Sequence, residues 1–375
     1  MKLSVLKQSL LDKLLIINRI TPKKSDLNIL NFFKIYTKNK KIFLVSTDLE
    51  ISYQATIIGN IKEDGEFLIP AKQFLEIINN FYEDEVNLET KENNLIIRGN
   101  NIFCSLVSIS EEEFPLLPEF SNNEYIEIDS ILFEKILEKI INPIKTANLI
   151  KPEFAGVYFW LDNNYLKLVS TDSIRLSEFK LKKDIILTNI KKEIKILIPF
   201  KIIDEFLKIR KKPIKTKIYI EENQITLDLE DQVLISKLLT IDYPDYQQII
   251  PQDFNLEIIV NKDEILKVIK LNNVFMDKTK ELKIKFNIQE KSIDFYTKNE
   301  LIGENINKVF FDINYINIDD NFEMSFNLDF LLDGIKSIDS EKIFLGINLP
   351  SDINIKPILI KSPLEDDFIY ILMPF

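Results

Sequence analysis

The chain spells the pentapeptide Leu-Val-Ser-Thr-Asp twice, and this repetition constrains its fold more than any other feature. The copies cover residues 44–48 and 168–172, which are 124 positions apart (168 minus 44). Each copy ends a run in which apolar and β-branched residues alternate with polar ones, a pattern typical of a β-strand that leads into a turn. A folding unit that is used more than once predicts further matches at nearly the same period.

Two pairs of prolines keep a similar spacing. Pro70 and Pro199 are 129 residues apart (199 minus 70), and so are Pro115 and Pro244 (244 minus 115). After Pro70 and Pro199 the apolar residues recur at helical spacing, which predicts a strand that ends at the proline and a short helix that follows it. Ahead of the first strand of each copy, residues 4–18 and 130–142 predict a longer amphipathic helix.

A third, more divergent copy follows. Residues 261–275 predict its long helix, residues 291–299 its central strand and residues 326–338 its short helix. Because the order of helix, strands, short helix and strands is written three times, the sequence predicts an α+β fold of three similar domains. The predicted domains are residues 1–121, 122–252 and 253–375, each within the usual size of a domain.

Composition excludes several classes of function. The 375 residues include no His and one Cys, Cys104, so a Ser-His-Asp triad, a soft metal site and an internal disulfide are excluded. The seven glycines form no phosphate-binding loop. We expect no cofactor and no metal, and we interpret Cys104 as a small, buried apolar side chain.

The sequence also predicts a cytoplasmic protein without a membrane partner. Its apolar runs are far shorter than the roughly 18 residues that span a bilayer. Its first residues interleave Lys and Asp with apolar side chains, unlike a signal peptide.

The net charge is −11, but the cations are unevenly distributed. Lys and Arg recur on the polar faces of the predicted helices, whereas acidic clusters such as residues 83–85 and 365–367 fall in turns or strand margins. If the helices share one side of the assembly, that side is less acidic than the sheets. Solvated helix faces without a ligand remain the alternative interpretation. Since neither a recognition helix nor a platform of alternating aromatic and basic residues is evident, we expect no sequence-specific reading of bases.

Six segments, spread in order over the whole chain, resemble the bacterial DNA polymerase III β subunit family, the sliding clamps. They are VSTDLE (45–50), IPAKQF (69–74), EEFPLL (112–117), VSTDSIRL (169–176), YPDYQQIIP (243–251) and YILMPF (370–375). The resemblance implies three clamp domains, with antiparallel sheets outside and two helices each inside, and a head-to-tail homodimer that forms a ring. It further implies a non-enzymatic processivity factor that encircles double-stranded DNA without reading its sequence and tethers the replicative DNA polymerase.

The resemblance also implies three sets of site residues. The side chains expected to face DNA are Lys23, Lys24, Lys72, Asn148, Lys151 and Lys201. A hydrophobic cleft for short peptides of polymerases, the clamp loader and repair proteins would be formed by Thr171, Arg175, Leu176, Pro244, Ile249, Asn327, Phe330, Ile371, Met373, Pro374 and Phe375. Ring closure would involve Arg98, Cys104, Leu106, Val274, Phe275, Glu300 and Glu304.

Three departures from the family pattern bear on these sites. Ser173 and Ile174 stand where the family commonly has Gly-His, which alters one rim of the cleft. The sequence ends at Phe375, without the residues that often follow in the family, so we expect a changed affinity for peptides. Gln247 and Gln248 replace cations and weaken one expected DNA contact.

Two other classes of function remain open from the sequence. One is an enzyme that uses Asp48 and Asp172 as paired carboxylates, although equivalent residues of two domains would lie farther apart than the roughly 5 to 10 Å that such a pair requires. We expect each Asp instead to accept backbone N–H bonds in the turn after its strand. The other is a repeat-domain adaptor that binds peptides but does not encircle DNA.

Overall fold

The computed structural model describes residues 1–22, 25–109, 114–121, 123–145, 151–349 and 356–375. These residues form twenty-six β-strands and seven α-helices, and all the strand pairs recorded among them are antiparallel. No helix in this part of the chain is both long and apolar enough to cross a bilayer. The predicted α+β class with antiparallel sheets is confirmed.

The first third of the chain contains nine strands and two helices. The strands are β1 (Lys2–Leu6), β2 (Phe32–Lys38), β3 (Lys41–Thr47), β4 (Ile51–Ile57), β5 (Gly59–Glu63), β6 (Glu66–Pro70), β7 (Glu85–Lys91), β8 (Asn94–Arg98) and β9 (Phe103–Val107); the helices are α1 (Lys7–Ile20) and α2 (Ala71–Asn80). Helix α2 begins directly after Pro70, as predicted. The prediction that the long helix begins at Ser4 was wrong, because residues 4–6 belong to β1, which pairs with β5 and β7.

The middle of the chain repeats this order. Its strands are β10 (Tyr125–Asp129), β11 (Gly156–Leu161), β12 (Tyr165–Thr171), β13 (Arg175–Lys182), β14 (Leu187–Thr188), β15 (Ile194–Pro199), β16 (Lys215–Ile220), β17 (Gln224–Asp228) and β18 (Gln232–Lys237); its helices are α3 (Ser130–Ile140), α4 (Asn142–Lys145) and α5 (Phe200–Lys208). The strand that ends at Pro199 and the helix that follows it are confirmed.

The last third contains the third copy. Its strands are β19 (Leu256–Asn261), β20 (Glu281–Asn287), β21 (Ser292–Asn299), β22 (Gly303–Ile316), β23 (Phe322–Asn327), β24 (Lys342–Ile347), β25 (Ile358–Lys361) and β26 (Phe368–Leu372); its helices are α6 (Lys262–Asn273) and α7 (Leu328–Lys336). The predicted long helix, central strand and short helix are α6, β21 and α7. Asn261 and Asn327 cap α6 and α7 by accepting backbone N–H bonds of the first helical turn.

The strands and helices form two compact units. The first comprises Met1–Glu134, Ile186–Lys191 and Lys201–Leu238, and the second comprises Lys135–Ile185, Lys192–Phe200 and Leu239–Phe375. The first unit contains a five-stranded sheet, β5-β1-β7-β8-β9, and a nine-stranded sheet, β14-β10-β16-β17-β18-β4-β3-β2-β6. The second contains a twelve-stranded sheet, β15-β11-β12-β13-β26-β25-β24-β19-β22-β21-β20-β23.

The sheets continue across the predicted domain boundaries. In the first unit β4 pairs with β18, and in the second β13 pairs with β26. We call these strand pairs the first and the second junction. The middle of the chain is divided between the two units, because its strand β18 belongs to the first junction and its strand β13 to the second. The domain bounds stay a prediction.

Each unit has an apolar core under its helices. In the first, Leu14 and Ile17 of α1 and Phe74 of α2 are at most 1% exposed. In the second, Ile269 of α6 and Ile335 of α7 are similarly buried. Each such side chain contributes about 1.5 to 3 kcal/mol of burial free energy, so the helical faces fix the helices on the sheets.

Candidate functional site

The repeated pentapeptide builds the same turn twice. Oδ1 of Asp48 accepts backbone N–H bonds from the residues two and three positions later, at 3.0 and 2.8 Å. Oδ1 of Asp172 accepts the equivalent bonds at 3.0 and 2.9 Å. Leu49 and Ser173, which follow the Asp residues, both have a positive φ, 77° and 75°. The predicted role of the Asp residues as acceptors in the turn is confirmed.

The turns differ at their fourth position, where the first has Ile51 and the second has Arg175. Arg175 is nearly buried, with 1% of its side chain exposed. Its Nε donates to Asp172 at 2.9 Å and its Nη1 to Asp333 at 2.7 Å. Nη2 donates to the carbonyl of Asn142 at 2.9 Å, so each guanidinium nitrogen has an acceptor.

Aromatic groups complete the surroundings of this arginine. The Phe330 ring lies against the guanidinium, with 3.9 Å from its centroid to Cζ. The Tyr370 hydroxyl donates to the Phe330 carbonyl at 2.8 Å. Burial raises the pKa of Tyr370 well above its usual value, so the phenol stays protonated. The arginine is therefore fixed by the β12–β13 turn, α4, α7 and β26.

A cavity of about 610 Å³ lies beside this turn in the second unit. Its walls come from the turn, from the segment after the Tyr-Pro-Asp-Tyr motif and from the end of the chain. Six of the eleven residues predicted for the cleft line it: Thr171, Arg175, Leu176, Ile249, Ile371 and Met373. The apolar walls and a few polar groups suit an extended peptide with apolar side chains.

The other five predicted residues lie outside this lining. Asn327 caps α7, and Phe330 faces Arg175. The Phe375 N–H donates to the carbonyl of Ser325 at 2.9 Å, and its side chain is 63% exposed. Pro244 is exposed and Pro374 is half-buried.

Two of the lining residues are also core residues. Leu176 and Ile371 are 0% and 2% exposed and belong to an apolar cluster that includes Tyr246. The Tyr246 hydroxyl donates to the buried Glu178 carboxylate at 2.5 Å, and burial raises the pKa of the phenol. Leu176 and Ile371 thus form a rigid floor, whereas exposed Ile249 and half-buried Met373 are accessible to a ligand.

The cavity also contains residues outside the eleven predicted for the cleft, although the sequence already places Ser173 and Ile174 on its rim. Ile174, one of the departures from the family pattern, is 47% exposed on the rim, and its carbonyl accepts the Met373 N–H at 2.8 Å. The remaining lining residues are Ser173, Gln248, Ile250, Pro251, Gln252, Asp253, Asn348, Lys356 and Pro357. Those up to Pro251 lie within recognised motifs and the next two adjoin one, but the last three lie where the sequence has no repeat landmark.

The predicted DNA-facing residues are only partly described. Lys72, Lys151 and Lys201 are exposed. Lys201 on α5 makes an ion pair with Oδ2 of Asp48, the oxygen that in Asp172 binds Arg175. Three further predicted residues lie outside the described part of the chain: Lys23, Lys24 and Asn148.

The predicted ring-closure residues lie on two separate surfaces. In the first unit, Arg98 on β8 is exposed, and Cys104 and Leu106 lie on β9. In the second, exposed Val274 and half-buried Phe275 follow α6, and exposed Glu300 and Glu304 flank the start of β22. The prediction that Cys104 is buried was wrong; it is half-buried because β9 is an edge strand with one neighbour.

Comparison with protein families identifies matches over nearly the whole chain. Residues 1–118 match the DNA polymerase III beta subunit, N-terminal domain, residues 127–245 its central domain and residues 247–375 its C-terminal domain.

Individual relatives agree with these matches. The beta sliding clamp of Staphylococcus epidermidis is 26% identical over 370 residues, which cover 95% of this chain and 93% of the relative. The DNA polymerase sliding clamp of Bacillus subtilis is 23% identical and superposes with a TM-score of 0.90 over 100% of this chain and 99% of that one. The Helicobacter pylori beta clamp, solved with a DNA ligase peptide, is 25% identical and has a TM-score of 0.87 over all of both chains.

Proposed function

Because the chain belongs to the DNA polymerase III beta subunit family and is a beta sliding clamp, a non-catalytic processivity factor, we propose that two copies close into a ring around duplex DNA. We further propose that the cavity beside the second turn binds peptides of the replicative polymerase and the clamp loader. Two open strand edges support the ring, and the chemistry of the cavity supports the peptide site.

The first open edge is β9, the last strand of the five-stranded sheet. Phe103 and Val107 on this strand are 64% and 70% exposed. Cys104 and Leu106 line a surface cavity of about 520 Å³ together with residues of α2. An exposed apolar edge strand is a site for pairing with another chain.

The second open edge is the first half of β22. Residues 303–310 pair with β21, whereas β19 pairs only with the second half of the strand. Ile306 is 63% exposed and Leu301, just ahead of the strand, 97% exposed. Both junctions within the chain are antiparallel strand pairs, so we infer that a third pair of this kind forms between β9 of one copy and β22 of the other. Such a contact joins two different surfaces, and with two copies it closes a ring.

The sedimentation mass of the full chain tests ring closure. A dimer has twice the 44.1 kDa of the chain. Leu106→Arg and Val274→Arg each place a charge in the proposed interface, and we expect each to give monomers. Leu116→Arg is the matched control, because Leu116 is 96% exposed and lies on neither of the two strand edges. A monomeric unmodified protein, or a dimer that survives both interface variants, contradicts the proposed closure.

The cavity beside the second turn suits a peptide ligand. The flexible thioether of Met373 adapts to different side chains, while exposed polar groups such as Gln252 can bind a peptide backbone. The H. pylori relative solved with a DNA ligase peptide supports the same use here.

We expect deletion of residues 373–375 to abolish stimulation of the replicative polymerase on a primed circular template. The deletion removes the thioether of the wall and the hydrogen bond from Met373 to Ile174. It should leave the sedimentation mass unchanged, and Leu116→Arg should leave stimulation unchanged. Full stimulation by the truncated protein, or its dissociation into monomers, would mean that the peptide site is misplaced.

The contact with DNA is proposed to be weak and independent of sequence. Topological linkage keeps a ring on the duplex, so non-specific phosphate contacts of about 10⁻⁴ to 10⁻⁶ M are sufficient. The cations proposed for this role are Lys23, Lys24, Lys72, Lys151 and Lys201, with Asn148 as a neutral hydrogen-bonding residue.

A further inference from the structure

The first unit contains a cavity that none of the proposed roles uses. It has a volume of about 730 Å³ and lies between α1, the β2–β3 turn and the segment after α5. Seven of its lining residues are Lys or Arg and two are Asp. Carboxylates outside the lining pair with two of these cations, Arg19 and Lys208, so an excess of three positive charges remains in a chain whose net charge is −11. A concave surface lined by charges of one sign concentrates counter-ions of the other.

The two carboxylates of the lining are already paired. Asp231 forms an ion pair with Lys13 at 2.6 Å, and Oδ2 of Asp12 lies 3.7 Å from Nζ of Lys211. They therefore do not neutralise the other cations of the cavity.

Three of these other cations are exposed and make no ion pair with any residue that the structure describes: Lys40, Lys41 and Arg210. A fourth, Arg19, uses Nε to bind Glu205 at 2.7 Å. Its Nη2 is excluded from solvent and has no hydrogen-bond partner among the described residues. Because solvent does not reach this nitrogen, the cations available to a ligand in the cavity are the three exposed ones.

The second junction fills the corresponding place with aromatic side chains. There Phe179 lies opposite Phe368 across the strand pair, and Lys139 Nζ lies 5.8 and 5.4 Å from the two ring centroids. At the first junction the equivalent pair is Ala55 opposite Gln232. Ala55 and Phe179 are 124 residues apart, the spacing of the repeated pentapeptide.

Helices α1 and α3 begin 123 residues apart (130 minus 7), so the equivalent of Lys139 in the first copy is Ile16, and both Ile16 and Gln232 line the cavity. Two aromatic rings thus cover the lysine at the second junction. At the first junction a small residue and an amide leave the space open, and cations surround it.

We propose that this cavity binds a phosphate-bearing anion through Lys40, Lys41 and Arg210. Arg is suited to two parallel hydrogen bonds with one phosphate, and Lys acts as a point charge. The volume is in the range of ligand pockets and accommodates several linked phosphates. The phosphates belong either to a free polyphosphate or nucleotide or to a nucleic-acid backbone, which share this chemistry. The proposal rests on the first unit alone and does not depend on the ring or the peptide site.

Calorimetric titration of the full chain with inorganic tripolyphosphate at low ionic strength tests the site. We expect one equivalent to bind per chain and the Lys40→Ala/Lys41→Ala variant to weaken binding at least tenfold. Arg210→Ala should also weaken the binding of tripolyphosphate. Lys283→Ala/Lys285→Ala removes two exposed lysines of β20, outside the cavity, and should change the affinity less than twofold.

A short DNA duplex, titrated at several salt concentrations, distinguishes the two sources. If the Lys40→Ala/Lys41→Ala variant lowers the salt slope of duplex binding by about two, the phosphates are those of a nucleic acid. If only tripolyphosphate binding falls, the ligand is a free polyphosphate or nucleotide. No binding of tripolyphosphate, or an equal loss in the β20 control, overturns the proposal. All the substituted side chains are exposed, and equal melting temperatures verify that the variants fold.

Discussion

The turn after β3 and the turn after β12 have the same backbone but different surroundings. In both, the Asp accepts two backbone N–H bonds and the next residue has a φ near 75°. The fourth residue is Ile51 in the first turn and Arg175 in the second, and both are at most 2% exposed. The remaining Asp oxygen binds Lys201 in the first turn and Arg175 in the second.

This difference shows how a duplicated element acquires a new role. Local hydrogen bonds specify the turn, so it is retained in both copies regardless of its neighbours. The fourth side chain depends on distant residues, because Arg175 is satisfied by Asp333, 158 positions away. The copy beside the proposed peptide site carries the buried ion pairs, whereas the other copy is closed by apolar packing.

The largest expected difference between the turns concerns their fourth residues. Arg175→Met should lower the free energy of unfolding by about 3 to 5 kcal/mol, because it leaves Asp172 and buried acceptors without a donor. Ile51→Met conserves volume and should cost less than about 1.5 kcal/mol. Urea denaturation monitored by circular dichroism measures both. Equal costs would show that the ion pairs of Arg175 do not distinguish the turns.

The Asp residues should show a smaller difference. Asp48→Ala removes two backbone acceptor bonds and an exposed ion pair, and should cost about 1 to 2 kcal/mol. Asp172→Ala removes the same backbone bonds and also a partner of buried Arg175, so we expect about 2 to 4 kcal/mol. The same denaturation curves give both values. A larger loss for Asp48→Ala would contradict the asymmetry.

Glycine substitutions test whether the two backbones are equivalent. Leu49→Gly and Ser173→Gly each relieve a positive φ, which costs a residue with a side chain about 1 to 2 kcal/mol, while glycine loses part of that gain through backbone entropy. We expect each variant to gain about 0.5 to 1 kcal/mol in thermal denaturation. Opposite signs at the two positions would mean that the turns are not equivalent.

The smallest expected effect concerns the Lys201 partner in the first turn. Asp48→Asn keeps the Oδ1 acceptor but releases Lys201, and should strengthen binding of a short DNA duplex less than threefold at low salt. Glu50→Gln is the matched control, since it removes one carboxylate paired with Lys237 instead. Fluorescence anisotropy measures both. An equal gain in the control would assign the effect to net charge alone.

The repeat correctly predicted elements that are specified by their own local sequence. It did not predict elements whose structure depends on pairing with distant segments. Pro70 and Pro199 located the starts of α2 and α5, because proline fixes the entry into the helix. β1 was missed, since a five-residue strand ahead of a helix has little pattern of its own and depends on β5 and β7.

In the candidate site, the motifs predicted Thr171, Ile249 and Met373 for the cleft, and all three line one cavity. They did not predict that Asp333 binds Arg175, because an ion pair between distant segments has no characteristic spacing that the sequence could reveal. Nor did they predict the contribution of Asn348 and Pro357, which lie outside every recognised motif.

Retention on DNA of different topology tests encirclement most directly. The full-length protein is loaded by its clamp loader onto nicked circular DNA, the complex is isolated by gel filtration, and half of it is then linearised. We predict that the protein stays with the circle and is lost from the linear molecule, because a ring slides off open ends. Equal retention on both molecules, or failure to load onto the circle, would contradict encirclement and favour an adaptor that binds peptides only.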